Sequence, residues 1–355
     1  MCSDRTTTTL ASGHKIIHLE GEELSRQEKD WEGYTEGLVR LTPGRWLFSS
    51  TFIQHANKYY NFKMREKDVL LMTYTKCGTT WLQEVVWTMR NNPDLDNPMA
   101  AAAVNTRVPF IEMDLFLKSK KIPEIEADHP MMKAFQKMCP GRDAAADGMF
   151  LQMAESAPDS RTIKTHLPLS LLPQNLLDTC KVVYLARNPR DAIVSFFHHA
   201  RIFRIHSYTG TFDDFVQYFV DDDFLYGPYW LHLKEAWEQR NHPNLHFMFY
   251  EDLKTNNMKE LKKLNNFLNT KLTDQQLNNV SHYTSFPEMK ARNSLLGEGG
   301  DIFLNLDIIN KDGGFYRKGE VGSWKGKYTK EQDQKINHWI NKNLGDIGID
   351  FKYTA

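Results

Sequence analysis

The amino-acid sequence predicts an α/β protein: a single domain with a central parallel sheet flanked by helices and a P-loop-like anion-binding loop. Four short apolar segments are typical of buried strands, namely residues 69–74, 162–165, 181–185 and 245–250. Helical patterns separate them, and strands that alternate with helices form βαβ units with parallel strands. Ligands of such sheets bind beyond the carboxyl ends of the strands.

The composition limits the possible partners. The chain has 355 residues, and its 44 Lys and Arg nearly balance its 45 Asp and Glu, so we expect no nucleic-acid partner. Its four cysteines are scattered without a CxxC pair, which predicts neither disulfides nor a metal site and favours a reducing, cytoplasmic location. No apolar run approaches about 18 residues, so neither a membrane span nor a signal peptide is expected.

The pattern along the chain suggests an order of parts. We interpret residues 1–45 as an N-terminal extension and residues 46–355 as the catalytic domain. Residues 118–160 are irregular with two short apolar stretches, which is typical of a helical insert. Residues 251–268 are predicted to form one amphipathic helix. The glycine- and aspartate-rich residues 297–314 are predicted to form a loop.

The turn after the first predicted strand is suited to bind an anion. Lys76 lies in the turn, and Gly78 allows the backbone to approach a ligand closely. Thr79 and Thr80 add hydroxyl donors at the start of the next helix. The first amides of a helix lack intrahelical acceptors and carry partial positive charge, so they bind phosphate or sulfonate groups. The lysine precedes the glycine of this turn, unlike the lysine of a GxxxxGK[ST] loop.

The second predicted strand carries a candidate base. Lys164 and His166 are two positions apart, so on an extended segment their side chains project from the same face. A histidine with an ordinary pKa of about 6.5 accepts a proton at neutral pH, which makes His166 a candidate general base.

Two further segments are candidate phosphate-binding sites. Arg187 ends the third predicted strand and Ser195 lies on the helix that follows, so guanidinium and hydroxyl can converge on one phosphate. Arg317 and Lys318 are adjacent cations next to Gly319, which predicts a second phosphate contact.

Together these segments resemble the cytosolic sulfotransferase family, which uses 3′-phosphoadenosine 5′-phosphosulfate (PAPS) and releases the bisphosphate PAP. The resemblance runs from about residue 46 to about residue 351, outside the insert. It implies a P-loop-like phosphosulfate-binding loop at residues 74–81 and an adenine-stacking pair, and it implies Lys76, Lys164 and His166 as catalytic residues. The nucleotide-binding residues implied, with no metal, are Lys76, Cys77, Gly78, Thr79, Thr80, Trp81, Arg187, Ser195, Tyr250, Thr284, Phe286, Arg317, Lys318 and Gly319.

The chain departs from the family pattern at two places. Thr75 replaces a usual proline and Cys77 a usual serine, and a thiol at a helix start is expected to have a lowered pKa and to be open to oxidation. The family's dimerisation motif is degraded, so a homodimer is possible but is not strongly indicated. The motif retains Lys325 and Thr329 and has lost its usual residues at Lys330 and Gln334.

The extension and the insert resemble the insect branch of this family, which includes retinol dehydratase. The expected activity is transfer of a sulfonyl group from PAPS to the hydroxyl of a small hydrophobic alcohol or phenol, with His166 as general base. Phe110, Phe196, Phe197 and Tyr60 are expected to line the acceptor pocket. Three alternatives stay open: a dehydratase in which transient sulfonation drives loss of the hydroxyl, a non-catalytic binder of an apolar ligand, and a nucleotide kinase.

Overall fold

A computed structural model describes residues 8–292, 298–312, 314–317 and 319–347. The strands are β1 (Lys15–His18), β2 (Leu38–Thr42), β3 (Trp46–Ser49), β4 (Val69–Thr73), β5 (Thr162–Thr165), β6 (Lys181–Ala186) and β7 (Leu245–Phe249). The α-helices are α1 (Gly21–Asp30), α2 (Phe52–Tyr60), α3 (Thr79–Asn91), α4 (Val104–Arg107), α5 (Pro130–Met138), α6 (Ala144–Asp147), α7 (Met149–Ser156), α8 (Leu176–Thr179), α9 (Pro189–Ile202), α10 (Phe212–Val220), α11 (Tyr229–Glu238), α12 (Tyr250–Thr255), α13 (Asn257–Leu268), α14 (Asp274–Tyr283), α15 (Phe286–Arg292), α16 (Leu306–Asp312) and α17 (Lys330–Ile347). Short 3-10 helices span Pro98–Ala101, Met113–Phe116, Leu169–Leu171 and Gly300–Phe303.

The central sheet has the strand order β5-β4-β6-β7, and all its pairings are parallel. Met72 of β4 lies opposite both Thr165 of β5 and Tyr184 of β6, and Ala186 of β6 lies opposite Phe249 of β7. The four strands therefore end along one edge, and the residues that follow them lie side by side. The predicted α/β fold with a central parallel sheet is confirmed.

Both faces of this sheet are buried. Because successive side chains of a strand point to opposite faces, Leu70 and Met72 pack into one apolar cluster while Val69 and Leu71 pack into another. Residues of α3, α13 and α14 belong to the second cluster, and residues of α9, α10 and α11 to the first. Burial on two sides explains why these strands are nearly continuous apolar runs in the sequence.

A second, antiparallel sheet with the order β1-β2-β3 lies in the N-terminal part of the chain, where no strand was predicted. Its side chains Val39 and Phe48 are buried in the same apolar cluster as one face of the central sheet. The predicted boundary between residues 45 and 46 falls inside the β2–β3 hairpin, in which Leu41 lies opposite Trp46. The segments on the two sides of that boundary therefore share one sheet.

Three other segments test the sequence prediction. Residues 118–160 contain α5, α6 and α7, as expected of a helical segment. Residues 251–268 were wrongly predicted as one helix, because the chain leaves the helical conformation at Asn256, between α12 and α13. The predicted loop at 297–314 was also wrong in part, since Gly300–Phe303 and α16 are helical. No helix within the described ranges is long and apolar enough to cross a membrane.

Candidate active site

The predicted anion-binding loop connects β4 to α3. Gly78 precedes the helix with a φ of 104°, a left-handed conformation that favours glycine, and an added Cβ would lie 2.6 Å from Cδ2 of Tyr250. No side chain of the described residues caps this helix, so its first amides remain available to an anion. The hydroxyls of Thr73 and Thr79 are hydrogen bonded at 2.6 Å and join the strand end to the helix start.

A cavity of about 480 Å³ opens at this edge of the sheet. Among the residues that form its wall are fifteen of the predicted site residues. They are Lys76, Gly78, Thr79, Thr80, Trp81, Phe110, Lys164, His166, Arg187, Ser195, Tyr250, Thr284, Phe286, Arg317 and Gly319. Segments far apart in the sequence thus meet around one space, as the parallel strand order requires.

Four predicted site residues do not line the cavity, and a fifth, Lys318, lies outside the described residues. Phe196 is fully buried within the core on α9, and Phe197 packs against Phe212 at 5.0 Å between ring centroids. Tyr60 lies at the end of α2, away from the cavity wall. The Cys77 side chain points into the core. Phe196, Phe197 and Tyr60 are therefore not among the residues that line the cavity, contrary to the prediction for the acceptor pocket.

The predicted reactivity of Cys77 is also contradicted. Its side chain is fully buried, and this burial raises the pKa of the thiol to about 12 despite the nearby Arg187 guanidinium. A helix start lowers a thiol pKa only where the sulfur faces the first amides or solvent, and here it faces apolar side chains. The backbone of Cys77 remains part of the loop.

Arg187 joins the anion-binding loop to the C-terminal segment. One guanidinium nitrogen donates to the carbonyl of Lys76 at 3.1 Å and another donates to the carbonyl of Glu320 at 3.3 Å. Its guanidinium stacks over the ring of Tyr250 at 4.3 Å, and its Nε is buried without a hydrogen-bond partner among the described residues. This leaves hydrogen-bonding capacity for a phosphate beside Ser195, which also lines the cavity.

The C-terminal segment is anchored to the start of α9 by a buried carboxylate. Asp191 accepts hydrogen bonds from the backbone of Gly322 at 2.8 Å and of Trp324 at 3.0 Å, and from the hydroxyl of Ser323 at 2.9 Å. These bonds hold Arg317 and Gly319 near Arg187, so the two predicted phosphate-binding segments converge.

Trp81 and Phe286, the predicted adenine-stacking pair, both line the cavity. Trp81 packs edge-to-face on Tyr250 at 5.4 Å between ring centroids, and its indole N–H is buried with no hydrogen-bond partner in the part of the chain that the structure describes. The backbone of Gly319 passes so close to Phe286 that a Cβ would lie 2.4 Å from its ring. The buried donors of Trp81 and Arg187, which have no hydrogen-bond partner among the described residues, remain available to a phosphorylated nucleotide.

Replacing Gly319 with alanine is expected to weaken PAP binding by about 10- to 100-fold, because the Cβ would displace Phe286 at a backbone φ of 62°. The matched control is Gly322→Ala in the same segment. Its φ of 75° is equally left-handed, but the nearest atom to its Cβ is 3.7 Å away. Calorimetric titration with PAP measures both variants, and equal affinities for the two would contradict a specific role of the Gly319–Phe286 contact.

His166 is held in one orientation by the end of β4. Its Nδ1 lies 2.8 Å from the carbonyl oxygen of Thr73, which only accepts hydrogen bonds, so Nδ1 carries the proton and Nε2 is left as an acceptor. Burial, followed by the charge of Lys164, lowers the pKa of His166 well below its ordinary value. The ring is therefore neutral at neutral pH and is able to accept a proton at Nε2.

Glu112 fixes the segment that carries His166, and the sequence prediction missed it. Its fully buried carboxylate accepts from the backbone N–H of His166 and, at 2.9 Å, from the hydroxyl of Thr165. Burial raises the pKa of Glu112 and lowers that of Lys164, which lies 4.0 Å above the ring of Phe110. Two acidic residues, Glu112 and Asp114, within the otherwise apolar stretch 108–117 were the available sequence signal.

Lys76 is surrounded by other cations. Burial, followed by the positive charges of Lys164, Arg187 and Arg317, lowers the pKa of Lys76 to about 7. Its Nζ lies 3.3 Å from Nδ1 of His199 and 4.9 Å from the ring centroid of Phe315. An anion bound here would restore the charged form of Lys76.

Binding of PAP is therefore expected to take up about one proton at about pH 8 and much less at about pH 6, because a lowered pKa leaves Lys76 largely neutral above pH 7. The affinity for PAP should fall as the pH rises through that pKa. Calorimetry in two buffers of different ionisation enthalpy measures the uptake, and Lys76→Met should abolish it. Equal proton uptake at both pH values would contradict the assignment.

A parallel sheet whose carboxyl edge combines an anion-binding loop with a fixed histidine and two lysines defines a nucleotide-dependent group-transfer enzyme. Comparison with known proteins gives the family. The chain belongs to the sulfotransferase family, because the model of the Sulfotransferase domain matches residues 66–348. It is therefore a transferase, and the cofactor of its family is PAPS.

Two relatives show the extent of the similarity. Sulfotransferase 1A1 of Rattus norvegicus is 33% identical over 307 residues, which cover 86% of this chain and 93% of that protein. Sulfotransferase 1E1 of Bos taurus is 32% identical over 303 residues, which cover 85% of this chain and 91% of that protein. The similarity thus includes nearly the whole of both relatives.

Solved structures of related proteins also resemble this chain over most of its length. Retinol dehydratase in complex with androsterone and the inactive cofactor PAP is 29% identical, with a TM-score of 0.79, over 95% of this chain and 98% of its own. Its complex with retinol and PAP has the same identity and coverage and a TM-score of 0.80. A mouse sulfotransferase complexed with PAP is 25% identical, with a TM-score of 0.61, over 88% of this chain and 96% of its own. These PAP complexes confirm the predicted cofactor.

Proposed function

We propose that the protein transfers the sulfonyl group of PAPS to the hydroxyl of a small hydrophobic alcohol or phenol, with His166 as general base. One observation carries the proposal: His166, whose Nε2 is left as an acceptor, lines the same cavity as Lys76, Lys164 and the start of α3. A base and an anion-binding site around one space are what a sulfonyl transfer to a hydroxyl requires.

The residues have separate roles in the proposed reaction. Nε2 of His166 accepts the proton of the acceptor hydroxyl while the hydroxyl oxygen attacks sulfur. Lys76 and Lys164 stabilise the electron pair that the bridging oxygen keeps when its bond to sulfur breaks. The nucleotide is held at its two phosphates by separate groups of residues. The 5′ end is assigned to residues 76–81, the adenine to Trp81, Tyr250, Thr284 and Phe286, and the 3′-phosphate to Arg187, Ser195, Arg317, Lys318 and Gly319.

Part of the cavity wall beside His166 is formed by apolar and aromatic side chains. Of the predicted lining residues, Phe110 remains a candidate, and its ring is 5.3 Å from that of His166. Met113, Phe116 and Tyr226 replace the other predicted aromatics as candidates, because they line the cavity. A pocket of this composition favours a hydrophobic acceptor.

A dehydratase is the second candidate function, and one observation favours it. The two retinol dehydratase complexes match 95% of this chain with TM-scores of 0.79 and 0.80, against 0.61 for the mouse sulfotransferase. Both reactions begin with the same transfer to a hydroxyl. They differ afterwards, because an allylic sulfate ester can lose sulfate and a proton to give an alkene.

The assay that tests the proposal incubates the protein with PAPS and a panel of steroids, phenols and retinoids, followed by mass spectrometry. Sulfate esters are expected from at least one acceptor, in amounts equal to the PAP released. A product lighter than its alcohol by one water would support the dehydratase. Absence of both products from every acceptor would overturn both proposals and favour the non-catalytic binder.

Cellular location and assembly are further parts of the proposal. Cys77, Cys139 and Cys180 are free and buried, which suits a reducing compartment, and we propose a cytoplasmic location. A homodimer through the degraded motif at 325–334 stays a prediction, which sedimentation of the full chain would test.

A further inference from the structure

A buried histidine that the proposed transfer does not use is hydrogen bonded to the backbone of His166. His232 of α11 is 1% exposed and is not among the residues that line the cavity. Burial lowers the pKa of His232 to about 4, so its ring is neutral at neutral pH. A neutral imidazole is costly to bury unless its nitrogens have hydrogen-bond partners.

Both ring nitrogens of His232 have such partners. Nε2 lies 3.0 Å from the carbonyl oxygen of His166, and Nδ1 lies 2.8 Å from the hydroxyl oxygen of Tyr184 on β6. A carbonyl oxygen only accepts, so Nε2 carries the ring proton and donates it to His166. Nδ1 is then an acceptor. Burial raises the pKa of Tyr184 well above its ordinary value, so the hydroxyl keeps its proton and donates to Nδ1.

The backbone of His166 depends on side chains for its hydrogen bonds. Strand β5 ends at Thr165, so His166 is the first residue beyond the strand. Backbone groups that are buried outside a sheet need other partners. The N–H of His166 donates to Glu112, and its carbonyl accepts from His232. With the bond from its Nδ1 to Thr73, His166 is held at three points.

The ring of His232 is itself held by large buried side chains. Tyr74 packs edge-to-face on it at 5.5 Å between ring centroids, and Trp46 packs edge-to-face at 6.4 Å. Both neighbours are 1% exposed. Side chains packed at the density of a protein interior leave little room for rotation. His232 is therefore a donor of fixed position.

We propose that His232 is a positioning residue for the proposed base, because its Nε2–H fixes the carbonyl of His166 and so keeps the ring of His166 on Thr73. In this position Nε2 of His166 remains the proton acceptor. His232 lies outside the cavity wall, so it acts on the rate of transfer through His166 and not on nucleotide binding. A misplacement of about 1 Å can slow a reaction by about 10²-fold. The inference rests on the proposed function, since it takes His166 as the base.

The test compares two amide variants that separate the two hydrogen bonds of the ring. The amide nitrogen of glutamine corresponds in position to Nε2 of histidine, and that of asparagine corresponds to Nδ1. Only His232→Gln can therefore still donate to His166. We expect His232→Asn to lower kcat by about 10- to 100-fold. The PAP affinity of this variant should stay near the wild-type value, and His232→Gln should recover most of the kcat.

The matched control is Tyr184→Phe. It removes a buried hydrogen bond from the same ring but leaves the donor to His166 in place, since the carbonyl still keeps the ring proton at Nε2. We expect a lower temperature of thermal unfolding and a kcat near the wild-type value. A kcat that falls in all three variants in parallel with their thermal stability would overturn the inference, because His232 would then have only a structural role. Wild-type kcat in a folded His232→Asn protein would also overturn it.

A measurement without turnover separates this inference from the proposed function. Nitrogen-15 NMR of histidine-labelled protein in its PAP complex reports which ring nitrogen of His166 carries the proton. A single form protonated at Nδ1 is expected in the wild-type protein and in His232→Gln, and its loss is expected in His232→Asn. That result would support the inference even if no acceptor is sulfonated, in which case only the proposed function fails. An unchanged His166 signal in His232→Asn would overturn the inference, because the ring would then be held without His232.

Discussion

Replacing His166 with alanine is expected to lower kcat for sulfonyl transfer by roughly 10²–10⁴-fold. The expectation follows from the single orientation of the ring: Thr73 occupies Nδ1, so Nε2 is the nitrogen left to accept a proton. The affinity for PAP should stay near the wild-type value, because the nucleotide-binding residues belong to other segments. Steady-state kinetics and calorimetry on the same preparation measure the two effects.

A matched control excludes a general effect of removing a histidine. His338 is exposed on α17, so His338→Ala should leave both kcat and PAP affinity unchanged. The buried His166 ring also contributes to stability, and thermal unfolding with PAP present shows whether the variant is folded at the assay temperature. Turnover by a folded His166→Ala protein at the wild-type rate would refute the assignment of the base.

Replacing Arg187 with lysine is expected to weaken PAP binding by about 10- to 100-fold, since each charge-assisted hydrogen bond contributes roughly 1.5–3 kcal/mol. Lysine keeps the charge but loses the planar fork that joins the carbonyls of Lys76 and Glu320. The matched control is Arg240→Lys. Arg240 stacks on Trp237 at 4.4 Å, close to the 4.3 Å between Arg187 and Tyr250, but it lies outside the cavity.

The nucleotide used as probe identifies which phosphate Arg187 contacts. If Arg187 holds the 3′-phosphate, Arg187→Lys should lose much more affinity for PAP than for the analogue that lacks this phosphate. An equal loss of affinity for both nucleotides would instead indicate that Arg187 stabilises the conformation of the loop at Lys76. Unchanged PAP affinity in the variant would contradict both roles.

The central sheet and the residues at its edge could be predicted from the sequence for a physical reason. A strand buried on both faces has few polar residues, so β4 and β6 stand out as apolar runs. Parallel strands of similar length end at one edge, so Lys76, His166 and Arg187 were expected to meet although they are distant in sequence. Each follows directly after, or close to, the last residue of its strand.

The N-terminal sheet could not be predicted with the same ease. Its strands have only 4, 5 and 4 residues, and Arg40 interrupts β2, so their apolar stretches are only two or three residues long. Arg40 is tolerated at 8% exposure because its guanidinium pairs with Asp223 and, at 2.5 Å, with Glu23. Partners so distant in sequence leave no local pattern.

Side-chain direction on helices limited the prediction of the pocket. Phe196 and Phe197 are consecutive, so their side chains point about 100° apart around α9. The side of α9 that faces the cavity carries Ser195, His198 and His199 instead. Which side of α9 faces the cavity is decided by how the helix packs on the sheet.

The most direct test of the account is a crystal structure of the full chain with PAP. We expect the 5′-phosphate at the amides of residues 76–80 with Lys76 beside it, and the 3′-phosphate in contact with Arg187, Ser195 and the segment that contains Arg317. The adenine should lie between Trp81 and Phe286. A nucleotide bound outside this cavity, or a 3′-phosphate in solvent away from Arg187, would contradict the claim that these distant segments form one binding site.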